Sequence, residues 1–259
     1  SFPERPLWSF YGGRGFWQIR PRSACATVFD YVGFPKPVIF LSGKISEEQI
    51  AYLDQTLGQI KYTSSELSIP SISFPSNPVK IREEKEGSVQ CSIRFGLPAI
   101  SRTHPDYFKF SLMNTVLGGY FGSRLQKNIR EDKGFTYGIS SSLAPYPRGG
   151  YWVVGTDVNG ENVDATLAEI KKEITILQTE LIPQDELEIV QNYLMGSFTG
   201  ELTQAFDIAE KVRVIQLNGL APDFYDQFQD EVLKIQAQDI RDMAAKYLNL
   251  DLMHEVIVG

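Results

Sequence analysis

The chain has 259 residues, 25 basic and 32 acidic side chains, a formal charge of −7 and 42% apolar residues. These values suit one large or two small globular domains and exclude a chain that is disordered, collagenous or coiled-coil throughout. The negative charge argues against a protein that coats nucleic acid or anionic membrane, and no apolar run approaches the ~18–20 residues of a membrane span.

Residue 1 is Ser, and no basic-then-apolar leader follows it. The expectation is a soluble chain with no targeting segment in this sequence and no readable compartment. Residues 1–36, rich in Gly, Pro, Arg and aromatics, read as an irregular N-terminal segment or connector. From Pro37 the pattern sharpens. Val38 to Leu41 is a short apolar run that reads as a buried strand. Ser46 followed by Gln49 is a capping-box start for a helix over roughly 46–59. Residues 63–79, with six Ser and three Pro, read as a linker or long loop.

Two strands are then expected around the Glu86-Gly87 turn, Lys80 to Glu84 and Val89 to Phe95. In the second, Val89, Cys91, Ile93 and Phe95 alternate with polar residues and should face a core. Thr103 and Asp106 propose a helix start with Pro105 in its first turn, running to Leu117 and stopping at Gly118-Gly119. A second helix is expected from about Gly122 to Asp132, ending at Gly134. Strands follow at 135–144 and 150–157. Val163, Leu167, Ile170, Ile174, Leu177 and Leu181 lie on one helical face, and Pro183 opens a helix carrying Leu187, Val190, Leu194 and Phe198. Helices at 202–218, 223–233 and 236–248 and a last strand from His254 to Val258 complete the chain. Strand pairs without alternating crossovers predict an α+β two-layer sandwich, a mainly antiparallel sheet with helices packed on one face.

Most standard sites are missing: no Walker A loop, no G-x-S-x-G and no complete G-x-G-x-x-G. Cys25 and Cys91 read as two thiols rather than a disulfide. A zinc peptidase of the H-E-x-x-H or H-x-x-E-H type needs two His four positions apart on one helix face. The two histidines, His104 and His254, lie 150 positions apart. They read as a first-turn helix residue and a strand residue with a satisfied ring. Asp157-Val158-Asn159-Gly160 has its glycine too early for a calcium loop and reads as a turn. The acidic pairs Glu83-Glu84 and Asp185-Glu186 read as solvated faces or helix N-terminal charge.

One constellation is dense. Leu117-Gly118-Gly119-Tyr120-Phe121-Gly122-Ser123-Arg124-Leu125 leads into Asn128-Ile129-Arg130-Glu131-Asp132-Lys133-Gly134-Phe135-Thr136-Tyr137. Taken alone, Arg130 reads as a helix C-terminal cation and Tyr137 as a half-buried strand aromatic. The stretch resembles the insulinase/pitrilysin family of zinc peptidases, the inverzincins, in which a Gly-rich turn precedes a helix ending in I-R-E-K-x-G-x-x-Y. The resemblance continues through Gly155-Thr156-Asp157 and the long helix after Pro183, and covers roughly 37–259. It implies two similar α+β halves closing around a peptide. One carries zinc on H-x-x-E-H, and the last domain of the other sends an Arg and a Tyr seven positions apart into the active site.

Arg130 and Tyr137 have that spacing, and the zinc motif is missing. The resemblance therefore implies that residues 37–259 are the C-terminal, non-metal domain. It would hold no cofactor itself and would work with a homologous zinc-bearing half or subunit on a peptide substrate. A second copy of the chain is a further partner left open. Arg can grip a peptide carbonyl with its planar fork, and a Tyr hydroxyl can donate to the oxyanion of a tetrahedral intermediate. Alone, the chain should be inactive. The alternative is a catalytically inactive family member with a structural or assembly role.

Overall fold

The computed structural model describes residues 38–59, 74, 75, 77–147 and 149–259. Two compact units divide between Pro70 and Ser71. In the first, helix α1 (Glu47–Thr56) begins as expected, with the Ser46 hydroxyl accepting from the Gln49 N–H and the Gln49 side chain accepting from the Ser46 N–H. A 3-10 turn extends it to Gln59. The expected strand at Val38 to Leu41 is absent, and Val38, Ile39 and Leu41 are exposed. A strand needs a paired neighbour, and none of the described residues pairs with this run. Most of the expected 63–79 linker, Cys25 and the segment 1–36 lie outside the described residues.

The second unit is built on five strands: β1 (Lys80–Glu83), β2 (Gln90–Ala99), β3 (Thr136–Tyr146), β4 (Gly149–Asn159) and β5 (His254–Val258). Their order is β1-β5-β2-β4-β3. The β5-β2, β2-β4 and β4-β3 pairings are antiparallel, and β1 pairs β5 in parallel. Strands β1 and β2 do not form the hairpin suggested by the Glu86-Gly87 turn, because the C-terminal strand β5 inserts between them. The Glu255 N–H donates to Val79 O, and the Gly259 N–H to Glu83 O.

Alternation along the central strands decides where the core lies. Ile93, Phe95 and Leu97 of β2, Trp152, Val154 and Val158 of β4, Ile139 of β3 and Ile257 of β5 are buried in one cluster with helix residues. The opposite face carries Arg94, Ser140, Ser142, Tyr151 and Asp157, all exposed. Val89 falls before β2 and is 80% exposed, and Cys91 is a half-buried free thiol, so the expected core row starts at Ile93.

The helices follow the apolar periodicity. They are α2 (Tyr107–Asn114), the π-helical α3 (Gln126–Asp132), α4 (Val163–Thr179), α5 (Gln184–Glu201), α6 (Ala205–Asn218), α7 (Phe224–Lys234) and α8 (Ala237–Tyr247). Val163, Leu167, Ile170, Ile174 and Leu177 of α4 are buried as predicted, while Leu181 lies past the helix end and is exposed. Glutamines tie helix ends together. Gln191 Nε2 donates to Val232 O and Ile235 O at the end of α7, and Gln178 Nε2 donates to Leu248 O after α8. They satisfy carbonyls that a helix end leaves without partners.

The N-terminus of α2 differs from expectation. Asp106 occupies the cap position without capping, and its carboxylate accepts instead from Lys246 Nζ and the Tyr247 hydroxyl of α8. His104 lies in the preceding turn, where its Nδ1 accepts from the Asp106 N–H. Beyond Asn114, α2 widens into a π turn, Thr115–Gly119. Gly118 presses on β3 there, and a Cβ added to it would sit 2.6 Å from the Ser141 backbone nitrogen.

Gly118→Ala should destabilise the protein by about 1–3 kcal/mol through overpacking against backbone. Gly196→Ala is the control. Gly196 is exposed inside α5 with open space around it, so the change should stabilise by about 0.5–1 kcal/mol through helix propensity. Urea unfolding of both variants checks the opposite signs.

The Asp106 contacts predict a pH effect. Lys246 first, and Tyr247 second, hold the Asp106 carboxyl below its ordinary pKa. A carboxyl depressed on folding contributes stability that is complete above its unfolded pKa of about 3.9 and is lost as pH falls through the folded value. The stability difference between wild type and Asp106→Asn should therefore be full at neutral pH and shrink in the acid limb of a pH series of urea unfolding curves.

Candidate functional site

Arg130 and Tyr137 meet across one turn. Arg130 lies in the last turn of α3, and its Nε donates to the carbonyl oxygen of Tyr137 at 3.0 Å. The connection depends on Gly134, whose φ of +66° places it in the left-handed region. The Lys133 N–H donates to Asn128 O and the Phe135 N–H to Ile129 O, both at 3.0 Å, so the widened helix closes directly onto the strand. Single π turns recur at functional sites because they displace side chains from the ordinary helical register.

Tyr137 departs from the half-buried strand reading. Ile139 and Ser141 of β3 are buried, and strict alternation would bury residue 137 with them. The register with β4 slips between Thr136 and Ile139. This bulge re-aims the side chain, and Tyr137 is 93% exposed. Its hydroxyl makes no hydrogen bond among the described residues. The Thr136 hydroxyl supports the bulge by donating to Asp157 O and accepting from the Gly138 N–H, while the Thr156 hydroxyl donates to Gly138 O.

The Arg130 guanidinium is held from two sides. Its Nε is fixed by the Tyr137 carbonyl, and its Cζ lies 4.5 Å above the centre of the Phe121 ring. The Glu131 carboxylate forms an ion pair with Nη1 at 3.7 Å, beyond hydrogen-bond distance. Of five N–H donors on the side chain, the four on the terminal nitrogens have no hydrogen-bond partner among the described residues. Beside Tyr137 runs a groove of about 610 Å³ lined by Val89, Gln90, Phe135, Thr136, Asp157 and Asn159 among others.

The same geometry has a structural side. Strand β3 is the last in the sheet, and no described residue pairs with its outer edge as a strand. Alternate carbonyls along it each receive a side-chain donor: Tyr137 O from Arg130 Nε, Ile139 O from Gln126 Nε2 at 2.7 Å and Ser141 O from Asn114 Nδ2 at 3.3 Å. Pro145 follows further along. Capped carbonyls and a proline protect an edge strand from pairing with other chains. Gln126 and Asn114 escaped the sequence reading, because nothing in their spacing shows that they face a strand edge.

No group of three or more His, Cys, Asp and Glu side chains among the described residues is placed to hold a metal ion. The Nδ1 atoms of His104 and His254 both accept from backbone N–H groups, of Asp106 and Val79. These residues do not fit a zinc centre. No helix among the described residues is long and apolar enough to cross a membrane.

The sequence profile of the peptidase M16 inactive domain matches residues 35–194. The uncharacterized zinc protease YmxG of Bacillus subtilis is 24% identical over 168 residues, 65% of this chain and 40% of its own. The crystal structure of a peptidase M16 inactive domain from Pseudomonas fluorescens superposes with a TM-score of 0.67 at 26% identity, covering 74% of this chain and 46% of that one. A protease structure from Helicobacter pylori gives 0.74 at 17% identity, over 84% and 53%. The chain thus spans about half the length, or less, of these relatives.

The rim makes a prediction about folding. Tyr137→Phe should leave stability within about 0.5 kcal/mol of wild type, as for a surface change away from any contact. Arg130→Ala should cost about 1 kcal/mol, through the lost bond to the Tyr137 carbonyl. Chemical denaturation of the two variants measures both.

Proposed function

The chain belongs to the peptidase M16 inactive domain family, and from that premise we propose that it positions peptide substrate for a zinc peptidase whose metal is held by another half or subunit. Residues 37–259 are the family's C-terminal domain in this reading, and 1–36 connect to it. The observation that carries the reading is the unspent hydrogen-bonding capacity at the rim. A guanidinium is fixed in orientation with four donors that have no hydrogen-bond partner among the described residues, beside an exposed phenol whose hydroxyl has none there either.

Arg130 would donate to a substrate carbonyl, its plane already set before the peptide arrives. Tyr137 would donate from the bulge to the oxygen that gains charge as the carbonyl is attacked, where a preorganised donor contributes roughly 2–4 kcal/mol. Neither residue is a nucleophile, and the metal would supply the activation of water elsewhere. The relatives named zinc proteases support zinc in the complementary half.

In the complete peptidase, Tyr137→Phe should lower turnover by roughly ten- to a thousand-fold, with the melting temperature unchanged. Arg130→Ala should impair substrate use at similar cost. Turnover and melting temperature measured on the same preparations test this. Full specific activity in both variants would refute substrate positioning and leave the structural or assembly role.

A further inference from the structure

Phe121 is a large apolar residue left 65% exposed. It sits in a turn closed by the Ser123 N–H donating to Tyr120 O at 3.1 Å. The turn is anchored by its other residues. Ser123 is buried, and the Tyr120 ring packs 4.9 Å from that of Tyr193 on α5. Gly122 permits this, since a Cβ there would come within 2.8 Å of the Tyr120 ring. An anchored turn that holds a phenylalanine in solvent needs a reason, and burial is not it. What the ring touches is Arg130, whose guanidinium carbon lies 4.5 Å from its centre.

We propose that Phe121 is the positioning residue of Arg130, holding the guanidinium plane so that its terminal nitrogens are presented to a peptide carbonyl. The proposal rests on the substrate-positioning reading above. Two constraints act on the guanidinium: one in-plane hydrogen bond from Nε to the Tyr137 carbonyl, and one aromatic face under the group. The hydrogen bond alone leaves rotation about its own axis, and the ring face removes it. A long flexible side chain ordered before binding loses less entropy when substrate arrives. Aromatic stacking suits Arg because its cation is planar and weakly hydrated. The Glu131 carboxylate pairs with Nη1 at 3.7 Å but makes no hydrogen bond, so it attracts the charge without setting its plane.

The test is a mutant cycle in the complete peptidase, with KM, kcat and melting temperature read for each variant. Phe121→Leu keeps an apolar side chain and removes the aromatic face. It should raise KM about two- to ten-fold, the range for having to order one long side chain on binding, with kcat unchanged, because the Arg–carbonyl contact is made before and during reaction alike, and with melting temperature nearly unchanged. Phe121→Tyr restores a ring face and should return KM to wild type. In an Arg130→Ala background, Phe121→Leu should add nothing, since the two act as one unit.

A silent Phe121→Leu beside a damaging Arg130→Ala would overturn the role of Phe121 and leave the positioning reading intact. A Phe121→Leu effect that persists undiminished without Arg130 would also overturn it, by showing that the ring acts for itself. Phe121→Leu that lowers melting temperature with KM unchanged would reduce Phe121 to a structural residue. A silent Arg130→Ala would instead remove the reading on which the proposal stands.

Discussion

A buried amide on α2 holds the helical layer to the sheet. Asn114 Oδ1 accepts from the Trp152 indole N–H at 2.7 Å, and its Nδ2 donates to Ser141 O. The Ser141 hydroxyl returns a bond to Asn114 O. One residue thus joins α2 to β3 and β4 in the interior, where an unmet polar group costs about 1–3 kcal/mol. The bonds have directions that apolar packing lacks, so they fix the register of the helix on the sheet. Asn114 and its neighbours start the π turn that carries Gly118 against Ser141, with no room for a side chain. The Gly-rich turn and α3 follow from where that helix ends.

The edge of β3 is where fold and proposed function share atoms. Asn114, Gln126 and Arg130 give one donor each to alternate carbonyls of the edge strand. Asn114 also accepts from the Trp152 indole with its amide oxygen. Arg130 keeps four N–H groups with no hydrogen-bond partner among the described residues, because the guanidinium has five and the edge takes one. A lysine could meet the Tyr137 carbonyl equally well, but its compact ammonium would not supply a rigid fork beyond the contact. A cap that also presents a ligand-binding face accounts for an arginine at this position. The bulge at Tyr137 belongs to the same arrangement, since it releases the phenol from the face that buries Ile139.

The helical layer is held by polar ties between elements distant in sequence as well as by its core. Arg124 and Glu186 form a two-pronged ion pair at 2.8 and 2.7 Å between the Gly-rich turn region and the start of α5. Both side chains are largely buried, and Glu186 accounts for the upward shift of the Arg124 pKa. With Tyr120 against Tyr193, it fixes the turn that leads from α2 to α3 on α5. The loop that carries Phe121 is therefore braced at both ends.

The sequence by itself determined the order of the elements from β1 onward, the α+β class and the face that most long elements bury. Period-2 alternation marked Ile93 and Phe95, and 3.6-residue spacing marked the buried stripe of α4, because these signals come from local geometry. It also placed Arg130 and Tyr137 seven positions apart around Gly134, through a motif short enough to be read along the chain. Tertiary structure decided the rest. The insertion of β5 between β1 and β2 joins segments about 170 residues apart in the chain, and no local pattern encodes a pairing at that range. The exposure of Tyr137 came from a bulge against β4, overriding the alternation that would have buried it. The diversion of Asp106 from helix cap to Lys246 and Tyr247, and the stacking of Arg130 on Phe121, depend on packing between elements. A side chain's partners are set by what the fold brings near it, and its own sequence neighbours carry no record of them.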